Sequence, residues 1–273
     1  MTFSILTRCL VLLFAALLLA APAAAETQPA EIPQGPASLE SLVGESLSYD
    51  IAFLWFDRLA KGRLSFSAAE EPNTYRAVLE ARTLGVAAWL TRDQVQRYVS
   101  LMELTPEGRL RPLVYESHVI KKKKKKRIDR VKKYTFDYEG QEIGYQQFRK
   151  GKLAKEKTFP LPDDKDVQDI LTAFFNFRIG VYGPVEAGGR YVIPTMRRQE
   201  VSEIVIEMLR PELWRDHRFF PRGGLLGQVT VDPEVFDTGG GSVFVWFDAK
   251  GRPARGIVEN IIGLGDVRGK LRR

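Results

Sequence analysis

Cysteine and histidine are scarce in this sequence, which has one cysteine and two histidines in 273 residues. The cysteine, Cys9, lies in an apolar run near the amino terminus, so the rest of the chain has no disulfide, thiolate metal site or cysteine nucleophile. His118 and His217 lack the spacing of metal ligands, and no serine lies in a Gly-x-Ser-x-Gly motif. The motifs therefore predict no metal, no cofactor and no catalytic residue. Acid pairs that only the fold brings together stay possible.

The sequence has only one long apolar run. Arg8 precedes apolar residues 9–19, and small residues follow as far as Ala25. This pattern is typical of a secretory signal peptide that is cleaved after Ala25, and the run is shorter than the ~20 residues of a membrane-spanning helix. We expect residues 1–25 to be removed and the mature protein to be periplasmic. Because Cys9 does not lie at the cleavage point, we do not expect a lipoprotein.

The charge is modestly basic rather than strongly so. The formal net charge is +7, and it falls to +6 when Arg8 leaves with the signal. Residues 26–43 are rich in proline, alanine and glutamate, which predicts a flexible leader. Residues 44–273 then form a single β-rich domain, long enough to bury a sizeable core.

Apolar residues alternate with other residues over many short segments, and this period of two predicts β-strands. The segments are 45–56, 63–69, 75–82, 94–102, 109–120, 131–138, 190–195, 200–208, 227–231, 242–247 and 254–262. Turn sequences such as Pro106-Glu107-Gly108 and Ala249-Lys250-Gly251 separate them. The glycine-rich stretch 263–269 lacks the spacing of a dinucleotide-binding motif and predicts a turn and a last strand. The fold class is mainly β (α+β), with antiparallel strands.

One helix interrupts the strands. Apolar residues at helical spacing, from Val167 through Phe174 to Phe177, predict an amphipathic helix that lies on a sheet, with Phe174 buried. Asp163, Asp164 and Asp166 precede it, where carboxylates cap free backbone N–H groups. Arg178 ends its last turn. The acidic cluster of these three aspartates with Asp169 lacks the glycine and distal glutamate of a calcium loop, which favours capping. A weaker segment, 84–90, predicts a short helix or a loop.

Three parts of the chain resemble the exported bacterial family known as domain of unknown function 3108. They are residues 44–50 with Trp55 and Gly62, residues 166–171, and residues 244–248 with Pro253 and 265–271. The resemblance runs from about Gly44 to Leu271. It implies an envelope protein with a curved antiparallel sheet or open β-barrel around one packed helix, similar to lipoprotein carriers. It implies no catalytic residues.

A run of seven cations lies between two predicted strands: Lys121, Lys122, Lys123, Lys124, Lys125, Lys126 and Arg127. Successive strand residues point to opposite faces, so the run cannot have one face buried. It is either a solvated hairpin end or charged edge, or a contact for lipid phosphates or an acidic envelope polymer. Nucleic acid is not expected, because the chain is exported and no aromatic residues are interleaved for base stacking.

Three classes of function remain for such a domain. The first is a non-enzymatic binding or carrier module for an apolar or amphiphilic envelope ligand, held by the aromatic-rich sheet. The alternative is a structural or assembly factor that contacts other envelope proteins without a small ligand. An enzyme is the third and the least supported by motifs. A solvent-open cavity with apolar walls favours the first class, whereas a filled core with an exposed apolar patch favours the second.

Overall fold

The computed structural model of the protein describes residues 35–53, 56–84, 95–123, 126–162, 166–197, 200–214, 219–230, 242–259 and 266–272. These residues form two α-helices, α1 (Leu39–Leu42) and α2 (Ile170–Arg178), and a 3₁₀-helix at Pro211–Leu213. The strands are β1 (Ser46–Phe53), β2 (Phe56–Ala68), β3 (Thr74–Thr83), β4 (Val95–Leu104), β5 (Leu110–Lys123), β6 (Lys126–Asp137), β7 (Glu142–Arg149), β8 (Lys152–Pro160), β9 (Arg190–Arg197), β10 (Glu200–Leu209), β11 (Leu225–Thr230), β12 (Val243–Phe247), β13 (Pro253–Val258) and β14 (Val267–Leu271).

All fourteen strands lie in one antiparallel sheet. Its order is β8-β7-β6-β5-β4-β3-β2-β1-β14-β13-β12-β11-β10-β9, so β8 and β9 are the two edges and the sheet is not closed. Strands that are adjacent in the sheet are also consecutive in the chain, with one exception. The exception is the pairing of β1 with β14, in which Tyr49 lies opposite Leu271. The predicted curved antiparallel sheet with one packed helix is confirmed.

The helix α2 packs on one face of this sheet, which we call the inner face. Leu171 and Phe175 of α2 share a core with Phe66 and Met102 of β2 and β4. A second core joins Phe177 of α2 to β9–β12. A third joins buried tyrosines of β6 and β7 to residues of β9 and β10. Because this third core unites opposite ends of the strand order, the sheet curves around α2.

The opposite face, the outer face, has its own apolar cluster. Trp246 is buried there with Trp214, Phe220 and Leu226. The indole Nε1 of Trp246 donates to the Gly223 carbonyl oxygen at 2.9 Å, so its polar atom is satisfied. Trp246 and Phe247 are adjacent in β12 and lie in different cores, as the period of two requires.

The packed domain begins before residue 44. The sequence predicts a leader through residue 43, yet Leu39 and Leu42 of α1 are buried in the core beneath α2. Ser38 caps α1, and the Ala37 N–H donates to the Arg178 carbonyl oxygen at 3.0 Å. Leu39 and Leu42 attach this short segment to the core. The polar composition of the surrounding residues is why the sequence predicts a flexible leader there instead.

Two strands were not predicted, and the predicted helix is shortened. The alternation in β7 is short, since only Ile143 and Tyr145 follow it before Gln147, and β8 is exposed on nearly every residue. The helix begins at Ile170, so Val167 precedes it, and Phe174 is half-buried rather than buried. The predicted segment 84–90 lies almost wholly outside the described residues. Among the residues that are described, neither helix has the length and apolar character needed to cross a bilayer.

Candidate ligand cleft

An apolar cleft of about 290 Å³ lies on the inner face between α2 and the sheet. It is neither a sealed cavity nor a flat surface. Its walls come from α2 (Ile170, Leu171, Ala173, Phe174, Phe177), from β1–β3 (Tyr49, Leu64, Leu79), from β9 and β10 (Ile193, Ile204, Ile206) and from β11–β14 (Val229, Val243, Val245, Phe247, Pro253, Arg255, Gly256, Gly269). Such walls offer an apolar ligand burial and almost no hydrogen bonds.

The one charged residue of the cleft wall directs its charge elsewhere. The Arg255 guanidinium lies over the Phe219 ring, 5.6 Å from the ring centroid, and donates to the Phe219 carbonyl oxygen. Phe219 packs against the outer-face cluster. The Arg255 side chain therefore lies on the outer face, opposite Trp246 in the register, and places no charge in the cleft.

A buried carboxylate fixes the amino end of α2. Asp169 is the N-cap residue: its carboxylate accepts from the Leu171 and Thr172 N–H groups at 2.8 and 3.1 Å, and from the Ser100 and Thr172 hydroxyls at 2.6 Å each. Burial raises the pKa of Asp169, and these hydrogen bonds partly oppose the shift. With its acceptors occupied, this group has a structural role.

Of the four acids that the sequence predicts as capping residues, only Asp169 caps the helix among the described residues. Asp166 bonds to the Arg109 guanidinium at 3.1 Å and the Gln168 amide at 2.9 Å instead of to the helix. Asp163 and Asp164 lie outside the described residues. The cap belongs to Asp169, because the helix starts one turn later than the apolar spacing predicts.

Other buried polar groups fasten α2 to its neighbours. The Asn176 side chain accepts from the Leu110 N–H at 2.8 Å and donates to the Leu110 carbonyl at 2.7 Å, so it satisfies both backbone groups of one β5 residue. At the carboxyl end, the Arg178 guanidinium forms a bidentate pair with Glu45 just before β1, one contact being 3.0 Å. These contacts fix the position of α2 relative to the sheet, and the space that remains between them is the cleft.

One polar atom at the cleft has no partner. The Tyr49 hydroxyl is buried and makes no hydrogen bond within the described part of the chain. Burial raises the pKa of Tyr49, so the group stays protonated at neutral pH. A free O–H beside an apolar cleft can donate to a ligand atom.

The predicted basic run lies at the end of the β5–β6 hairpin. Lys121, Lys122 and Lys123 end β5, Lys126 and Arg127 begin β6, and Lys123 pairs with Lys126 in the register. Lys124 and Lys125 lie outside the described residues. The structure does not bring this run into the cleft, and its contact with an anionic surface stays a prediction.

The histidines do not form a site. His118 lies 2.8 Å from the Asp129 carboxylate, a pair across β5 and β6, and His217 lies outside the described residues. No group of three or more metal-ligating side chains occurs among the residues that the structure describes. The alternation of apolar residues in the sequence predicts the strands that line the cleft, but no local pattern predicts the cleft, because its walls join strands far apart in the chain.

Comparison with known proteins gives one match. Residues 48–271 match the family described as a protein of unknown function, DUF3108. Neither the curated proteins nor the solved structures contain a match to the chain.

Proposed function

The chain belongs to the DUF3108 family, and we propose that it is a periplasmic, non-enzymatic binding or carrier protein whose cleft holds an apolar or amphiphilic ligand. The observation that carries this proposal is the solvent-accessible cleft of about 290 Å³ with apolar walls. Small-molecule sites have volumes of roughly 300–1,000 Å³, so the cleft matches a small or chain-like ligand.

The packing around the cleft supports a ligand site rather than a packing fault. On the other side of α2 the core is filled, with Phe66, Met102 and Phe175 at most 1% exposed. Protein interiors are packed at the density of organic crystals, so an unfilled volume beside a filled core is costly unless something occupies it. An apolar guest restores those contacts.

Native mass spectrometry of protein purified from its own periplasm tests this proposal. We expect a co-purified lipid-like molecule, and we expect the apo-protein to bind an apolar fluorescent probe. The variant Val245→Phe fills the cleft and should weaken probe binding at least about 10-fold, because the added ring takes the guest's volume. Val205→Phe is the matched control, since Val205 lies on the outer face of β10. Equal binding by both variants contradicts the proposal.

The periplasmic location rests on the signal-like residues 1–25. We expect amino-terminal sequencing of the exported protein to begin at Glu26, with the protein in the soluble periplasmic fraction. A start at Met1, or recovery in the membrane fraction alone, contradicts this location.

One observation favours the alternative, an assembly factor that contacts other proteins. The strand β8 is an edge strand, exposed along almost its whole length, with Leu153 50% exposed. An exposed edge can accept a strand from a partner. Its lysines oppose such pairing, so the cleft remains the stronger argument.

A further inference from the structure

Two glycines on neighbouring strands form part of the cleft wall. Gly256 of β13 and Gly269 of β14 are paired in the register, and both line the cleft. Val245 and Ile51 lie in the same row, on either side of the pair. A glycine within a strand weakens it, because it has no side chain to pack. Neither glycine has a positive φ, so the backbone conformation does not explain their presence.

The space above these two glycines is left open, unlike that above a third glycine in the row. A Cβ added to Gly227 of β11 would lie 3.1 Å from the Met208 sulfur, which fills that space. At Gly256 and Gly269 an added Cβ would meet only backbone oxygens of the described residues, that of Phe244 at 3.4 Å and that of Gly256 at 4.0 Å. A guest in the cleft can therefore approach the backbone of β13 and β14 closely.

An unpartnered hydroxyl lies beside these glycines. Tyr49 lines the cleft and pairs with Leu271, which is two residues along β14 from Gly269. Its hydroxyl is buried and has no hydrogen bond within the described part of the chain. A phenylalanine ring would fill the same place without burying an unsatisfied O–H group, so folding alone does not favour tyrosine here. An oxygen atom of a guest can accept this hydrogen bond.

The charges around the Tyr49 hydroxyl cancel in pairs. Two ion pairs lie close enough to act on it, Arg178 with Glu45 and Arg252 with Asp248. The first pair is bidentate, with one contact of 3.0 Å, and the second has a nitrogen–oxygen distance of 2.7 Å. Each of these cations is thus already paired with a carboxylate. A charged ligand group would lose water here without gaining a partner of opposite charge, which is costly.

We propose that the ligand of the cleft is an uncharged amphiphile, whose hydrocarbon chain lies across Gly256 and Gly269 and one of whose oxygens, such as an ester carbonyl, accepts from the Tyr49 hydroxyl. This inference rests on the proposed function and adds the chemical class and the position of the ligand. It assigns Tyr49 to hydrogen bonding with the ligand and the two glycines to close contact with its chain.

Binding of three probes tests the inference: diphenylhexatriene, which is a fluorescent hydrocarbon, methyl decanoate, which is an uncharged ester, and decanoate, which is the corresponding carboxylate. Fluorescence measures the binding of diphenylhexatriene, and its displacement measures the binding of the other two. At neutral pH we expect methyl decanoate to bind at least about 10-fold more tightly than decanoate, because the carboxylate must lose its hydration without gaining a cation.

The first variant removes the hydroxyl alone. Tyr49→Phe should weaken methyl decanoate binding about 5–10-fold and change diphenylhexatriene binding less than about twofold, since the hydrocarbon accepts no hydrogen bond. Its melting temperature should be unchanged or higher, because an unsatisfied group is removed. The matched control is Tyr138→Phe, since the Tyr138 hydroxyl donates to the Pro112 carbonyl oxygen at 2.7 Å away from the cleft. This control should melt at a lower temperature and bind both probes as the wild type does.

The second variant fills the space above the glycines. Gly269→Val should weaken the binding of methyl decanoate and of diphenylhexatriene at least about 10-fold, because the added methyl groups take the volume of the guest. The matched control is Gly144→Val in β7, where an added Cβ also meets no described atom nearer than 3.9 Å, but outside the cleft. It should change both affinities less than about twofold. Thermal melting shows whether the valine variants fold, and alanine at the same two positions serves where they do not.

The outcomes separate this inference from the proposed function. Equal affinities for methyl decanoate and decanoate overturn the uncharged class. Unchanged binding of methyl decanoate by Tyr49→Phe overturns the hydrogen bond, and equal losses at residues 269 and 144 overturn the position of the chain. In each of these cases, binding of diphenylhexatriene by the wild type leaves the cleft function intact. If the wild type binds neither diphenylhexatriene nor methyl decanoate, the proposed function fails together with this inference.

Discussion

The two sides of α2 have similar compositions and opposite packing. Toward β2–β5, Phe175 and Asn176 are 0% exposed, and Phe175 packs in a core with Phe66 and Met102. Toward β9–β13, Ile170 and Phe174 are half-buried and face the cleft. One side therefore holds the fold together, and the other leaves volume for a guest. Hydrophobic character alone does not distinguish these two roles.

The largest expected effect tests the filled side. Phe175→Ala removes a ring that is 0% exposed, with its centroid 4.3 Å from that of Phe66. We expect the free energy of unfolding to fall by about 3–5 kcal/mol, because a cavity replaces packed atoms. Urea unfolding followed by circular dichroism measures it. A loss under about 1 kcal/mol would mean that this side of α2 is not the filled one.

The second largest effect on the free energy of unfolding concerns Asp169, the N-cap residue that fixes the start of α2. Asp169→Ala leaves two hydroxyls and two backbone N–H groups without their buried acceptor, and we expect a loss of about 2–3 kcal/mol. Asp169→Asn keeps an acceptor for the backbone groups and should lose less. Urea unfolding curves of Asp169→Ala and Asp169→Asn measure the two losses of stability. If the two variants are equally unstable, the hydrogen bonds from the backbone N–H groups to residue 169 contribute nothing to stability.

The third effect tests the cleft side. Phe174→Ala should lower the free energy of unfolding by only about 1–2 kcal/mol, since the ring is half-buried and its loss enlarges an existing space. Phe174→Asp should also cost less than the 3–5 kcal/mol typical of burying an unpaired charge, because solvent reaches this position. Melting curves beside Phe175→Ala give the comparison. Equal losses at residues 174 and 175 would remove the distinction between the two sides.

The smallest expected effect on stability comes from the basic run at the end of the β5–β6 hairpin, which lies on neither side of α2. Replacing Lys121–Lys126 by Gln should change stability by less than about 0.5 kcal/mol, or raise it slightly, because it relieves like-charge repulsion. Liposome co-sedimentation at low and physiological salt then measures binding to anionic and neutral lipid. The wild type should prefer anionic vesicles at low salt. If it ignores them, these lysines form only a solvated hairpin end.

Local sequence patterns predict the strands of this fold better than its site. Period-two segments and glycine turns identify most strands, since half-buried strands need apolar residues on one face. The strand β8 escapes this reasoning because neither of its faces is buried. The hydrogen bond from the Ser100 hydroxyl to Asp169 also escapes, since the two residues lie 69 positions apart in the chain. The cleft depends on how β1–β3 and β9–β14 curve around one helix, which no local pattern encodes.

The pairing of β1 with β14 determines when the complete sheet can form. β1 is the first strand to be synthesised and β14 the last, and Tyr49 opposite Leu271 joins them in the middle of the sheet. Until β14 is available to pair, one edge of β1 is unpaired and the two halves of the sheet are not joined. Contacts so distant in sequence fold slowly. The two halves of the sheet therefore stay separate until the last part of the chain is available to fold.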